Sequence, residues 1–253
     1  MSDVDLGSWA VLGVALVAAA INGGLGYGFS SITVPAALLV HTSRLLNPAL
    51  VLVELVLNGY ALVINRRTVP AVLPRLKLLI AGAVPGVMVG SFLLAVVSAH
   101  GLKLATYLVL LPLVVLQSLG VRRPIKHEAR AALPVGFGIG ALYAATTLSG
   151  PPLALVFNNQ GLSKDEFRAA LAVFRFVESS LTAVSYLALG VFTAASVSLA
   201  ASFVPAVAIG LPLGRLVLRN LEPELFRRSC MAFDAVLVVF GLSMTLKAMG
   251  LVT

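Results

Sequence analysis

Three ionisable residues, Glu54, Arg175 and Glu178, stand inside stretches that are otherwise apolar, and they set the first question about chemistry. Charge in hydrocarbon is expensive, so an intramembrane Glu or Arg normally faces a partner or a wet cavity. Arg175 precedes Glu178 by three positions, which puts both on one helix face where they could pair. Glu54 and Glu178 are the candidates for handling a proton, because protonation removes a charge that would repel a bound anion. The plainer account of the same residues is a buried pair that only fixes helix packing. Arg215 is nearer a helix end, where a long side chain reaches the interface, and Asp234 could be its partner. Arg44 and Arg168 fall at helix starts and read as interfacial anchors.

Two segments carry residues that a plain membrane helix would not need: Asn22-Gly23-Gly24-Leu25-Gly26-Tyr27-Gly28 and Thr146-Thr147-Leu148-Ser149-Gly150-Pro151-Pro152. Clustered glycines and a Gly-Pro-Pro break a helix. Broken backbone at membrane depth is tolerated only where it is buried in protein or faces a wet cavity, since lipid cannot satisfy free N–H and C=O groups. A half-helix starting after such a break presents unpaired N–H groups and the positive end of its dipole, an environment that favours an anion. The candidate anion ligands are therefore Asn22, Gly24, Gly26 and Gly28 in the first segment, Thr147, Ser149, Gly150 and Asn158 in the second, and Arg175. Close helix packing through small residues is the alternative use of the same glycines.

Other chemistries find little support. The string Gly24 to Gly28 follows no strand and lies in no βαβ unit, so it is not a dinucleotide loop. His41, His100 and His127 fall in or beside loops without metal-ligand spacing, and no cofactor or metal site is expected. No serine, histidine and acid set would be brought together for nucleophilic catalysis. Cys230 is the sole cysteine, which excludes an internal disulfide and leaves helix packing as its role.

The elements that must position these residues are transmembrane helices. Of 253 residues, 59% are hydrophobic and 11% charged, with a mean hydropathy of +1.02; soluble domains carry about a quarter charged residues. The apolar runs are Trp9 to Val40, Pro48 to Ile64, Leu78 to Val97, Leu104 to Leu119, Leu133 to Phe157, Ala169 to Leu189, Val197 to Leu218 and Ser229 to Met249, each long enough to cross a bilayer. The net charge of +8 does not imply nucleic acid, because the Lys and Arg residues sit in short clusters between apolar runs. The N-terminus carries Asp3 and Asp5 and no basic residue, unlike a cleaved signal, so the first helix is expected to remain. Trp9 and Tyr60 suit interfacial anchoring.

Sliding the sequence on itself by 124 pairs Gly26 with Gly150, Arg44 with Arg168, Glu54 with Glu178, Gly86 with Gly210 and Gly90 with Gly214. That pattern predicts two repeats, residues 1–121 and 131–253, joined by a basic cytoplasmic linker at 122–130, within one transmembrane domain. If the first run of each half enters and returns, thirteen basic residues fall inside and three outside (Arg44, Lys103 and Lys247), as the charge bias of membrane proteins demands. The loops holding Arg66, Arg67, Arg75 and Lys77 are then cytoplasmic, and both termini extracytoplasmic. Each half crosses an odd number of times, so the halves are inverted. The expected fold is all-α and polytopic, with two inverted-topology repeats that each begin with a broken or re-entrant helical hairpin.

The glycine run at residues 22–28 followed by Val34-Pro35, the run Leu148-Ser149-Gly150-Pro151-Pro152-Leu153, Ala81-Gly82-Ala83-Val84-Pro85-Gly86 and Gly210-Leu211-Pro212-Leu213-Gly214 together resemble the sulfite exporter (TauE/SafE) family, also called toluene sulfonate uptake permeases. The resemblance covers nearly the whole chain. Tyr27 interrupts the family's first glycine run, and Ser-Gly-Pro-Pro stands in place of the second. What the resemblance implies is a prokaryotic plasma-membrane transporter that moves sulfite, an organosulfonate or a related sulfur-containing anion outward, with the proton as candidate coupling ion.

Residues and resemblance thus converge on a secondary transporter that holds a small anion near the midplane and exposes it to alternate sides. A transporter of another organic anion, an intramembrane enzyme using Glu54 and Glu178 as paired acids, a channel and a scaffold are the other classes weighed. The expected partners are a small anionic substrate and the lipid bilayer. Oligomeric state is not legible, a homodimer being one form it could take.

Overall fold

The structure, a computed structural model, describes residues 3–118, 128–158, 160–217 and single positions between 239 and 247. The described residues form α1 (Asp3–Leu25), α2 (Phe29–Ala37), α3 (Ser43–Ile64), α4 (Val69–Val96), α5 (Ala99–Ser118), α6 (Glu128–Thr146), α7 (Gly150–Asn158), α8 (Lys164–Ala188) and α9 (Ala194–Val217). Helices α3, α4, α8 and most of α9 are long and apolar enough to cross a membrane. At about 1.5 Å per residue, α2 and α7 reach less than half of a bilayer's hydrocarbon core. The protein is a multi-pass, all-helical membrane protein.

Both long opening runs are interrupted where glycine and proline predicted it, at residues 26–28 and 147–149. The expected run Leu78 to Val97 begins earlier than its hydropathy shows: α4 starts at Val69, so Arg75 and Lys77 lie in the helix and not in the preceding loop. Both are exposed, with stems long enough to carry their charges outward from an apolar helix. The expected last span, Ser229 to Met249, with Cys230 and Asp234, falls almost wholly outside the described residues.

The chain divides into two compact units, residues 1–46 with 97–121 and 201–253, and residues 47–96 with 122–200. In the first, α2 packs on α1. The Tyr107 hydroxyl donates to the Pro35 carbonyl at 3.1 Å, and Arg44 donates to the Val97 carbonyl at 2.9 Å. Gly210 and Gly214 of α9 lie so close to α1 that a Cβ would fall within 3.0 Å of the Leu16 and Ala20 carbonyls.

In the second unit α4 packs on α6 and α8, and α7 packs on α8. Gly86 and Gly90 of α4 approach the Phe137 and Ala141 carbonyls of α6 just as closely. Two glycines and the two carbonyls they meet recur in both crossings. The glycines are related by 124 positions and the carbonyls by 121. Helix α8 opens with a capping box in which Ser163 and Glu166 exchange side-chain and backbone hydrogen bonds.

Candidate functional site

The second break is built by backbone that no ordinary helix would contain. Thr147 has φ 60°, a left-handed conformation that a β-branched residue adopts only under constraint. It is fully buried, and its hydroxyl donates to the Thr146 carbonyl at 2.7 Å. Ending α6 here strips its last carbonyls of helical partners, a cost that hydrocarbon cannot relieve. Two side chains from other helices take over: Asn47 of α3 donates to the Ala145 carbonyl at 2.6 Å, and the Tyr186 hydroxyl of α8 donates to the Ala144 carbonyl. The break is thus held open by its surroundings.

Immediately beyond it stands a cluster of buried polar groups. Arg175 Nη2 donates to Glu54 Oε1 at 2.6 Å, joining α8 to α3, with both side chains at most 2% exposed. Asn58, one turn beyond Glu54, donates to the Arg175 carbonyl at 3.4 Å. Glu178 is completely buried one turn after Arg175. The Ser149 hydroxyl lies beside its carboxylate, and Tyr143 of α6 extends its hydroxyl toward Glu54, within the field of both acids. Neither Ser149, Tyr143, Thr182 nor either oxygen of Glu178 completes a hydrogen bond of normal geometry. Buried polar atoms without partners are costly, and a group of them in one place marks room for something that would satisfy them.

The expected pairing of Arg175 with Glu178 does not form as an ion pair; the guanidinium reaches across to Glu54. Helical spacing brings Glu178 near, yet the inter-helix partner has the better geometry. Counted from Thr42, whose carbonyl accepts the first bonds of α3, and Ser163, which caps α8, Glu54 falls level with Arg175; counted back from the helix ends, Ile64 and Ala188, it falls level with Glu178. Gly26, with φ 86°, and Thr147, with φ 60°, both take left-handed backbone at the ends of α1 and α6.

At the first break, Gly26 and Gly28 take φ 86° and 111°. The Gly26 N–H donates to the Asn22 carbonyl at 2.8 Å, while Asn22 is buried and Gly24 lies in the last turn of α1. The Ser31 hydroxyl donates to the Gly28 carbonyl at 3.1 Å. Of the predicted ligands, Thr147, Ser149, Gly150 and Arg175 gather at the second break, together with Glu54 and Glu178. Asn158 is the last residue of α7, at the far end of that helix from Ser149, and its side chain is outside the described residues. Arg215 is exposed near the end of α9, while its expected partner Asp234 is outside the described residues. Among the described residues no three His, Cys, Asp or Glu side chains group as metal ligands.

Sequence reasoning missed Asn47, Tyr143, Thr182 and Tyr186. A tyrosine deep inside an apolar run, far from either interface, was the available signal, since its hydroxyl must find a partner or a cavity. A cleft of about 250 Å³ opens at the other end of α7, where Arg75, Val135, Phe157 and Gln160 meet. It is lined by the start of α6 and the end of α7, so the chain doubles back at the second break. Outside the transmembrane helices, His41 is half-buried between α2 and α3, and desolvation lowers its pKa below the usual imidazole value.

The model of the family described as Sulfite exporter TauE/SafE matches residues 11–244. Comparison with curated proteins and with solved structures finds no match.

Proposed function

The chain belongs to the sulfite exporter TauE/SafE family, so it is a membrane transporter of sulfur-containing anions and not an enzyme; from this premise we propose that it exports sulfite or an organosulfonate across the cell membrane by alternating access, with a proton as coupling ion. The observation that carries this reading is the set of buried, unsatisfied groups at the start of α7, with Ser149 beside Glu178 and Arg175 one turn away. A sulfonate or sulfite head offers several acceptor oxygens, which suit the backbone N–H groups of Ser149 and Gly150 where α7 begins, the Ser149 and Thr182 hydroxyls and a guanidinium. Pro151 and Pro152 have no N–H to give, so Ser149 and Gly150 are the backbone donors of this turn.

Alternating access by inverted repeats is supported by the twin glycine crossings, which recur with matched residues in the two units. On the same reading Asn22, Gly24, Gly26 and Gly28 form the counterpart half of the anion site. The exposed Arg66 and Arg67 before α4, Arg75 in its opening turns, and Lys164 and Arg168 in the opening turns of α8 support a cytoplasmic position for these helix starts, and extracytoplasmic termini.

The test is binding of sulfite and several sulfonates to the purified protein, read as thermal stabilisation against chloride, phosphate and carboxylate controls, followed by flux in proteoliposomes. Stabilisation by sulfur oxyanions alone, lost in Ser149→Leu, is the expected result. Stabilisation by carboxylates instead would move the substrate to another class of organic anion, and no stabilisation by any anion would overturn the site.

A further inference from the structure

Two carboxylates and one guanidinium share the buried cluster, and their pairing is unequal. Glu54 is matched by Arg175 at 2.6 Å. Glu178 completes no hydrogen bond of normal geometry, lies within reach of the Ser149 hydroxyl where α7 begins, and has Arg175 as a neighbour already engaged with Glu54. The groups that face it are Glu54 from α3, Tyr143 from α6, Ser149 from the break and Arg175 from its own helix. Helix α4, packed along α8, brings its charged side chains Arg75 and Lys77 only in its exposed opening turns. A second negative charge therefore has no dedicated counter-charge among the described residues of this unit.

We propose that the Glu178 carboxylate is a tethered stand-in for the transported anion, competing with it for Ser149 and the start of α7, so that substrate enters only as Glu178 takes up a proton. This inference rests on the anion-site reading above and deepens it by dividing the labour of the two acids. Glu54 holds Arg175 in place. Glu178 alone exchanges a proton with the solution, which keeps the net charge of the cavity constant: one monovalent anion arrives with one proton, and both leave together. Coupling then needs no long-range relay, because proton and substrate exclude or admit each other at one place.

The probe must not itself titrate. Sulfite does so near neutrality, whereas methanesulfonate and toluenesulfonate keep one negative charge throughout. Calorimetry of these two anions on the wild-type protein, in buffers with different heats of ionisation, should show uptake of about one proton per anion above neutral pH, with affinity falling by up to about tenfold per pH unit. In Glu178→Gln, affinity should no longer vary with pH and should match the wild-type value at the acid end. Binding without proton uptake, or an unchanged pH slope in Glu178→Gln, overturns the inference while leaving the anion site standing. If neither anion binds the wild type, the site reading falls and this inference with it. The wild-type calorimetry decides the matter even where the variant does not fold.

Discussion

Arg175 and Glu54, joined by a 2.6 Å hydrogen-bonded ion pair, stand 121 residues apart, the same interval that separates Gly26 from Thr147 and Leu16 from Phe137. Each partner is therefore the same number of residues from the start of its helix, α3 or α8. One helix supplies the acid and the other the base, and Glu178 is left over from the pair.

Breaking this pair from one side strands a buried charge, at a cost of about 3–5 kcal/mol, whereas replacing both partners by apolar residues is close to neutral. Arg175→Met and Glu54→Leu alone are expected to lower the melting temperature and the yield of folded protein. The double variant should recover most of the stability and still fail to transport. A double variant as unstable as either single one would show that other contacts of these residues dominate.

The helix crossings predict a sharp contrast among glycines. Gly86→Ala and Gly214→Ala each drive a Cβ into a facing carbonyl and should cost about 1–3 kcal/mol or more, seen as loss of a monodisperse peak in size-exclusion chromatography. A Cβ at Gly13 or Gly138 meets nothing within 4 Å. Gly138→Ala should raise stability by about 0.5–1 kcal/mol through helix propensity. Equal effects at Gly86 and Gly138 would contradict the α4–α6 crossing.

At the breaks, Gly28→Ala combines a φ of 111° with a Cβ placed 3.0 Å from Ile21 Cγ2, and is expected to destabilise by about 1–2 kcal/mol. Thr147→Asn replaces a β-branched residue by one that tolerates the left-handed region. It should unfold at a temperature no lower than wild type, whereas Thr147→Val, which keeps the strain and loses the hydroxyl bond to Thr146, should unfold earlier. The reverse order of the two would place the constraint elsewhere.

His41 gives a pH signature. Its folded pKa lies below its ordinary value, so the unfolded chain binds more protons; stability is full above about pH 6.5 and declines as pH falls through that range. The melting temperature of His41→Gln should fall less than that of wild type between pH 7.5 and about pH 5. Parallel curves would assign the acid sensitivity to other groups.

Much of this arrangement is legible in the sequence because it rests on local chemistry. Clustered glycines at 22–28 and a Gly-Pro-Pro at 150–152 weaken a helix through their own backbone chemistry, and apolar runs between basic clusters are unambiguous. Partner choice is different. That Arg175 selects Glu54 over Glu178, or that Tyr186 and Asn47 satisfy the carbonyls left by the second break, depends on which helices face each other. A single offset of 124 fits the glycine stripes and the ends of α3 and α8, yet α8 has 25 residues to the 22 of α3, so the starts of the two helices stand at a shorter offset. Helix length is set by the capping residues, which a uniform shift of the sequence does not show.

The glycine crossings enclose very different lengths of chain. Gly86 of α4 meets a carbonyl of α6 about 50 residues further on, whereas Gly210 of α9 meets one of α1 about 190 residues before it. Loop-closure entropy rises with the length enclosed, so the α1–α9 crossing costs more chain entropy to close than the α4–α6 crossing. A chain cut after α8 would keep the second crossing and lack the first, leaving the Leu16 and Ala20 turns of α1 without the glycine face that covers them.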